Sequence, residues 1–76
     1  MSEIEDAILE AIRKVRPDID LSHATTNFDS AGLDSLDHAS ILLEVQEAFD
    51  LTIPDEMIDR LKSIASIAEY VAKERA

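Results

Sequence analysis

Cysteine and tryptophan are absent from these 76 residues, glycine occurs once, proline twice, and only Phe28, Phe49 and Tyr70 are aromatic. Without cysteine there is no disulfide bracing, no thiolate zinc site and no cysteine nucleophile, so any thiol chemistry has to be imported. So few aromatic rings oblige the core to be aliphatic. Basic residues are scarce as well: seven Lys and Arg against seventeen Asp and Glu leave a formal net charge of −10. A field of that sign repels nucleic acid and anionic membranes and makes basic protein surfaces the natural partners. Long apolar runs are missing too, none approaching the roughly 18 residues of a membrane span. The acidic opening Met1-Ser2-Glu3-Ile4-Glu5-Asp6 has neither the basic nor the apolar region of a signal peptide. These absences lead to the expectation of a soluble, cytoplasmic, monomeric protein.

What is present is enough apolar content to fold, 46% of the chain, in a length that supports one domain over residues 1–76 with a single thin core. Ile4, Ala7, Ile8, Ala11, Ile12 and Val15 recur at spacings of three and four, which predicts an amphipathic helix. Ser2 with Glu5 reads as its capping box. Arg13, Lys14 and Arg16 complement the C-terminal dipole before Pro17 ends the helix. From Pro17 to Leu33 periodicity is lost, and the stretch reads as a long loop pinned by Ile19, Leu21 and Phe28.

A second helix is predicted from Asp34 or Ser35 to about Asp50, with Ile41, Leu42, Val45, Ala48 and Phe49 on its core face. Leu36, Ala39 and Leu43 form a narrower apolar strip nearly opposite, flanked by Ser40, Glu44 and Glu47. Such a strip is either covered by the domain itself or kept for a partner. Thr52-Ile53-Pro54-Asp55-Glu56 opens a short helix, with Pro54 in its first turn, lasting to about Arg60 or Leu61. Ser63 caps a last helix that carries Ile64, Ile67, Ala68 and Val71 on one stripe and Lys73 and Arg75 near its end. The sum is an all-α four-helix bundle of three longer helices and one short one, with a long first loop.

Ser35, at the junction between loop and second helix, is the residue that invites chemistry, and three readings compete for it. Asp34-Ser35 can simply cap the helix. His38, three residues on, can approach the hydroxyl as a base, yet no third group orients it and a thin bundle offers little concavity. A histidine beside the core-facing residues is also expected to be partly buried and structural. Thirdly, an exposed hydroxyl at a helix N-terminus is a good attachment point for a phosphodiester, which free N–H groups and the helix dipole stabilise.

Gly32-Leu33-Asp34-Ser35-Leu36-Asp37, followed by Phe49-Asp50, Ile53-Pro54-Asp55-Glu56 and Tyr70-Val71, resembles the acyl carrier proteins along the whole chain. The resemblance implies that a separate transferase attaches 4′-phosphopantetheine from coenzyme A to Ser35. The arm then holds an acyl group as a thioester while partner enzymes of fatty-acid, polyketide or other lipid-type biosynthesis act on it. The chain itself is then no enzyme and has no metal site, the magnesium of loading belonging to the transferase. Carried over by position, the partner-recognition surface comprises Asp34, Leu36, Asp37, Ala39, Leu43, Glu47 and Asp55, meeting basic patches on loading and processing enzymes. An acyl pocket between the second and third helices corresponds to Phe28, Val45, Ile53, Ile58, Leu61 and Ile67. Ser40 and Gln46 stand where housekeeping members typically carry glutamate, and His38 replaces a small polar residue, which implies a specialised member. The alternatives are an aminoacyl or peptidyl carrier of a dedicated pathway and an unmodified acidic helical adaptor.

Overall fold

The structure, a computed structural model, describes residues 3–19, 21, 23 and 25–75. Four helices follow one another: α1 (Glu3–Val15), α2 (Ser35–Phe49), α3 (Asp55–Ile58) and α4 (Ile64–Arg75). Among the described residues there is no strand, so the expected all-α bundle with three longer helices, one short one and a long first loop is what forms.

The α1 stripe buries Ile8, Ala11 and Ile12 and leaves Ile4 and Val15 partly covered at its ends. Its first turn carries Glu3, Glu5 and Asp6 and its last Arg13 and Lys14, the polarity that the helix dipole favours. The capping box expected at Ser2 lies outside the described residues. Arg16 N–H still donates to Ile12 O at 2.7 Å, and Pro17, without an N–H, stops the ladder there. α1 packs against both α2 and α4.

In α2, Ile41, Leu42 and Val45 are buried and Phe49 is partly so, as the wheel requires. Ala48 departs from expectation and is exposed. It sits at the edge of the apolar sector in the last turn, where a single methyl does not reach the core. His38, in the middle of that sector, is buried instead. Asp50 ends the helix in the left-handed region, at φ 53, with its N–H on Gln46 O.

The loop between α1 and α2 is anchored by Leu21 and Phe28, with Ile19 partly covered, and by a fourth apolar residue, Leu33. Phe28 alone contributes about 1.5–3 kcal/mol by leaving water. Its N–H donates to Lys62 O at 2.7 Å, tying the loop to the α3–α4 link.

The short helix is shorter than expected. Pro54 is its N-cap rather than part of its first turn, and regular helix ends at Ile58. The chain nevertheless keeps turning to Leu61 through tighter bonds, Arg60 N–H to Met57 O and Leu61 N–H to Ile58 O. α4 starts as predicted at Ser63: its Oγ accepts the Ser66 N–H while the Ser66 Oγ accepts the Ser63 N–H, each at 3.1 Å. Serine thus supplies both halves of a capping box. Ile64, Ile67 and Val71 then enter the core.

Candidate functional site

The start of α2 is built by the residues just before it. Residues 28–31 make one helical turn that closes at Gly32, whose φ is +93. Gly32 N–H bonds to Asp29 O at 3.2 Å and Leu33 N–H to Phe28 O at 3.0 Å, the paired bonds of a Schellman ending. Leu33 then plunges into the core, and Asp34 follows in extended conformation. Asp34 is the cap: its Oδ1 accepts the Asp37 N–H at 2.8 Å, and Asp37 Oδ2 returns a long 3.4 Å contact to the Asp34 N–H. The cap reading offered for Asp34-Ser35 therefore belongs to Asp34 alone. Ser35 is the first helical residue, exposed, and its hydroxyl makes no hydrogen bond among the described residues.

Asp37 has a second engagement. Arg16, from the end of α1, places Nη1 2.6 Å from Asp37 Oδ2 and holds Asp18 with Nε and Nη2 at 3.0 and 2.8 Å. The hydrogen bond from Arg16 keeps the Asp37 carboxyl below the usual carboxylate range, against an opposing desolvation, with the Asp34 amide assisting. Asp18 is lowered first of all by the same guanidinium, and Arg16 is raised by both acids, Asp18 first. Among the described residues, Asp37 is thus the one acid assigned to partner recognition that is held in an ion pair, with its side chain only 17% exposed.

The other assigned surface residues lie open. Leu36 is 79% exposed and Leu43 57%, with Ala39 exposed between them along α2, and Asp34, Glu47 and Asp55 exposed nearby in the chain. The outer apolar strip is left uncovered by the domain. Glu44, at its margin, pairs with Lys14 of α1 at 3.9 Å.

His38 is unavailable as a base for Ser35. The residue is 9% exposed, its Nε2–H donates to Leu61 O at 2.7 Å, and its ring meets the Phe28 ring edge-on with centroids 5.7 Å apart. A structural histidine is what the wheel position implied. Ser35 is exposed while the His38 ring is buried and its Nε2–H is engaged by Leu61 O, so the two are not arranged as nucleophile and base.

The residues assigned to an acyl pocket do converge. Phe28, Val45, Ile53, Leu61 and Ile67 are buried and Ile58 partly so, all within one core cluster. A groove of about 340 Å3 lies elsewhere, on the α3–α4 side, where Met57, Ser66, Glu69, Tyr70, Lys73 and Glu74 line it together with Leu61. Only Leu61 is common to both. Gln46, which in the sequence reads merely as a missing acid, fastens the approach to α3 onto α2. Its Oε1 accepts the Ile53 N–H at 2.9 Å and its Nε2 donates to Leu42 O at 3.3 Å. No spacing rule would have pointed to this contact, because it joins a helix to an irregular segment. Among the described residues no group of His, Cys, Asp and Glu could hold a metal ion, and no helix is long and apolar enough to cross a membrane.

Comparison with known proteins bears on this site. The family model described as the phosphopantetheine attachment site matches residues 3–71. The acyl carrier protein of Bdellovibrio bacteriovorus is 36% identical over 72 residues, covering 93% of this chain and 88% of its own. The mitochondrial acyl carrier protein of Saccharomyces cerevisiae is 35% identical over 68 residues, 86% of this chain and 54% of its own. That of Dictyostelium discoideum is 49% identical over 49 residues, 64% of this chain and 41% of its own. The chain thus spans about half the length of the two mitochondrial relatives it matches.

Proposed function

From the premise that the chain belongs to the acyl carrier protein family, whose members are carriers rather than enzymes and take 4′-phosphopantetheine, we propose that Ser35 bears this group and that acyl intermediates of a biosynthetic pathway are the cargo. One observation carries the assignment: Ser35 is an exposed hydroxyl, without a partner among the described residues, at the start of a fifteen-residue helix whose cap is supplied by its neighbour Asp34.

The residues present suit the group chemically. A phosphodiester at Ser35 meets the positive end of the α2 dipole and the first-turn amides of Ser35 and Leu36, which precede the first capped amide. The nearest acids do not spoil this. Asp34 turns its carboxylate to the Asp37 amide, and the Asp37 charge is countered by Arg16. When bound, the group supplies the thiol that a chain without cysteine lacks.

Intact mass after incubation with coenzyme A and a broad-specificity phosphopantetheinyl transferase tests the reading. The expected result is the gain of one pantetheinyl phosphate that Ser35→Ala abolishes. An unchanged mass would overturn it and favour an unmodified adaptor, and a gain that survives Ser35→Ala would overturn Ser35 as the residue that bears the group.

The partners follow from the same surface. Leu36, Ala39 and Leu43 form a ridge along α2 with the exposed Asp34 and Glu47, Asp55 is exposed at the start of α3, and enzymes bearing a basic rim around an apolar patch fit this arrangement. Asp37 contributes less than its neighbours because Arg16 holds it. Gln46, occupied with Ile53, and Ser40 leave this helix with fewer free acids than the housekeeping pattern, which supports a carrier serving a dedicated lipid or polyketide pathway. Full complementation of a fatty-acid carrier defect by this chain would count against that specialisation.

A further inference from the structure

Resting on the assignment of Ser35 as the attachment residue, we propose that His38 is a specificity-determining residue that closes the core beneath it, so that this chain holds its cargo outside the bundle and serves short or polar acyl groups.

His38 lies one helical turn beyond Ser35, on the inward side of α2. There it joins three segments. Its Nε2–H donates to Leu61 O at 2.7 Å, and the next carbonyl along, Lys62 O, accepts the Phe28 N–H at 2.7 Å. The rings of Phe28 and His38 meet edge-on at 5.7 Å with an interplanar angle of 71°. The loop before α2, the first turns of α2 and the α3–α4 link are thereby stitched together at the Ser35 end of the core. Phe28 and Leu61 within the stitch, and Val45, Ile53 and Ile67 of the same core cluster, are each no more than 5% exposed.

An alkyl chain entering from Ser35 toward those residues has to part His38 from Leu61 or Phe28. Parting the hydrogen bond leaves a ring N–H and a carbonyl without partners in a place that water reaches poorly, and a hydrocarbon replaces neither bond. Parting the rings costs packing that the chain must replace atom for atom. The stitch therefore favours leaving the cargo in solvent. Every methylene left there is unfavourable, so the cargo best suited to such a carrier is short, or polar enough to be hydrated.

The test loads the chain with acyl groups of two, six and ten carbons, using the corresponding acyl-coenzyme A thioesters and the transferase, with loading checked by intact mass. Melting temperature and the rate of thioester cleavage by hydroxylamine are then read against chain length. For the wild-type chain both are expected to be flat, the cleavage rates agreeing within about twofold, as for a group that stays in solvent. His38→Ala and His38→Thr, which cannot reach Leu61 O, are expected to show melting temperatures that rise and cleavage that slows several-fold with length. Length-dependent protection in the wild-type chain would overturn the proposal even if neither variant folded. So would variants that fold and remain as flat as wild type. Failure to load at Ser35 would instead take down the attachment reading, and this one with it.

Discussion

Arg16 Nη1 lies 2.6 Å from Asp37 Oδ2, so the residue just past the end of α1 grips the first turn of α2 two positions after Ser35. The same guanidinium forks onto Asp18. One cation thereby ties the residue after α1 to the first turn of α2, and it offsets acid charge next to Ser35.

Arg16→Ala is expected to lower the melting temperature, and the deficit should depend on pH. The folded-state pKa values of Asp37 and Asp18 lie below the usual value of about 4. Their contribution is therefore fully present above that value and is lost as pH falls through the depressed folded values. Asp18 is 63% exposed and screened, so Asp37 carries most of the effect. Thermal melts of wild type and variant should differ at pH 7 and converge on acidification toward the folded values. A gap that stayed constant throughout would remove the ion pair as its cause.

Asp34 and Ser35, adjacent and both good caps by residue type, should separate cleanly in a stability measurement. Asp34→Ala removes the acceptor of the Asp37 amide and is expected to cost about 1 kcal/mol, within the range for lost N-caps. Ser35→Ala removes a hydroxyl without partners among the described residues and should stay within about 0.5 kcal/mol of wild type while abolishing modification. Urea unfolding read beside intact mass measures both.

Gly32 tests the geometry that delivers the chain to Ser35. A Cβ built there meets nothing within 4 Å, so space is not the constraint; the φ of +93 is. Gly32→Ala is expected to cost about 1 kcal/mol, the penalty of a left-handed position for an L-residue with a side chain. Gly32→Asn, which tolerates that region better, should cost less in the same unfolding experiment.

These sites show why some of the molecule was readable from its sequence and some was not. The stripes of α1, α2 and α4 were legible because burial repeats with the helical period, and the start of α2 because a helix end has its own residue chemistry; the preference for a role of Ser35 beyond capping came only from the family resemblance. Ala48 misled because a wheel reports direction and takes no account of how far a short side chain reaches. The ends of α3 were missed because four residues leave no period to read. Arg16 with Asp37, Gln46 with Ile53 and His38 with Leu61 join residues distant in sequence or fasten a helix to irregular backbone, and neither relationship leaves a periodic mark. The family resemblance placed Asp37 on the docking surface, and only the fold shows that its carboxylate is engaged from α1.

Net charge acts on the whole fold. With −10 on 76 residues, self-repulsion opposes compaction, and ions screen it over a Debye length of about 10 Å at 0.1 M. The melting temperature should therefore rise between low salt and a few tenths molar sodium chloride, and magnesium should act at lower concentration. Melting insensitive to both would show that the acids are already balanced locally.

Leu36 offers the sharpest test of the proposed docking ridge, because it is 79% exposed and two-state stability has little stake in it. Truncating such a side chain leaves the fold alone, so any effect on a partner reaction reports contact. Leu36→Ala is expected to leave the melting temperature unchanged and to lower kcat/KM for modification by the transferase roughly fivefold, about 1 kcal/mol, as for an apolar anchor at an interface. Glu47→Gln should act differently, through the encounter rate, with an effect that fades as salt is added. Leu43→Ala, 57% exposed on the same strip, should behave like Leu36→Ala with any enzyme that covers the whole ridge. If Leu36→Ala and Leu43→Ala are modified as fast as wild type across a panel of transferases and acyl-loading enzymes, the ridge is ordinary exposed helix surface, and recognition has to be sought among the acids alone.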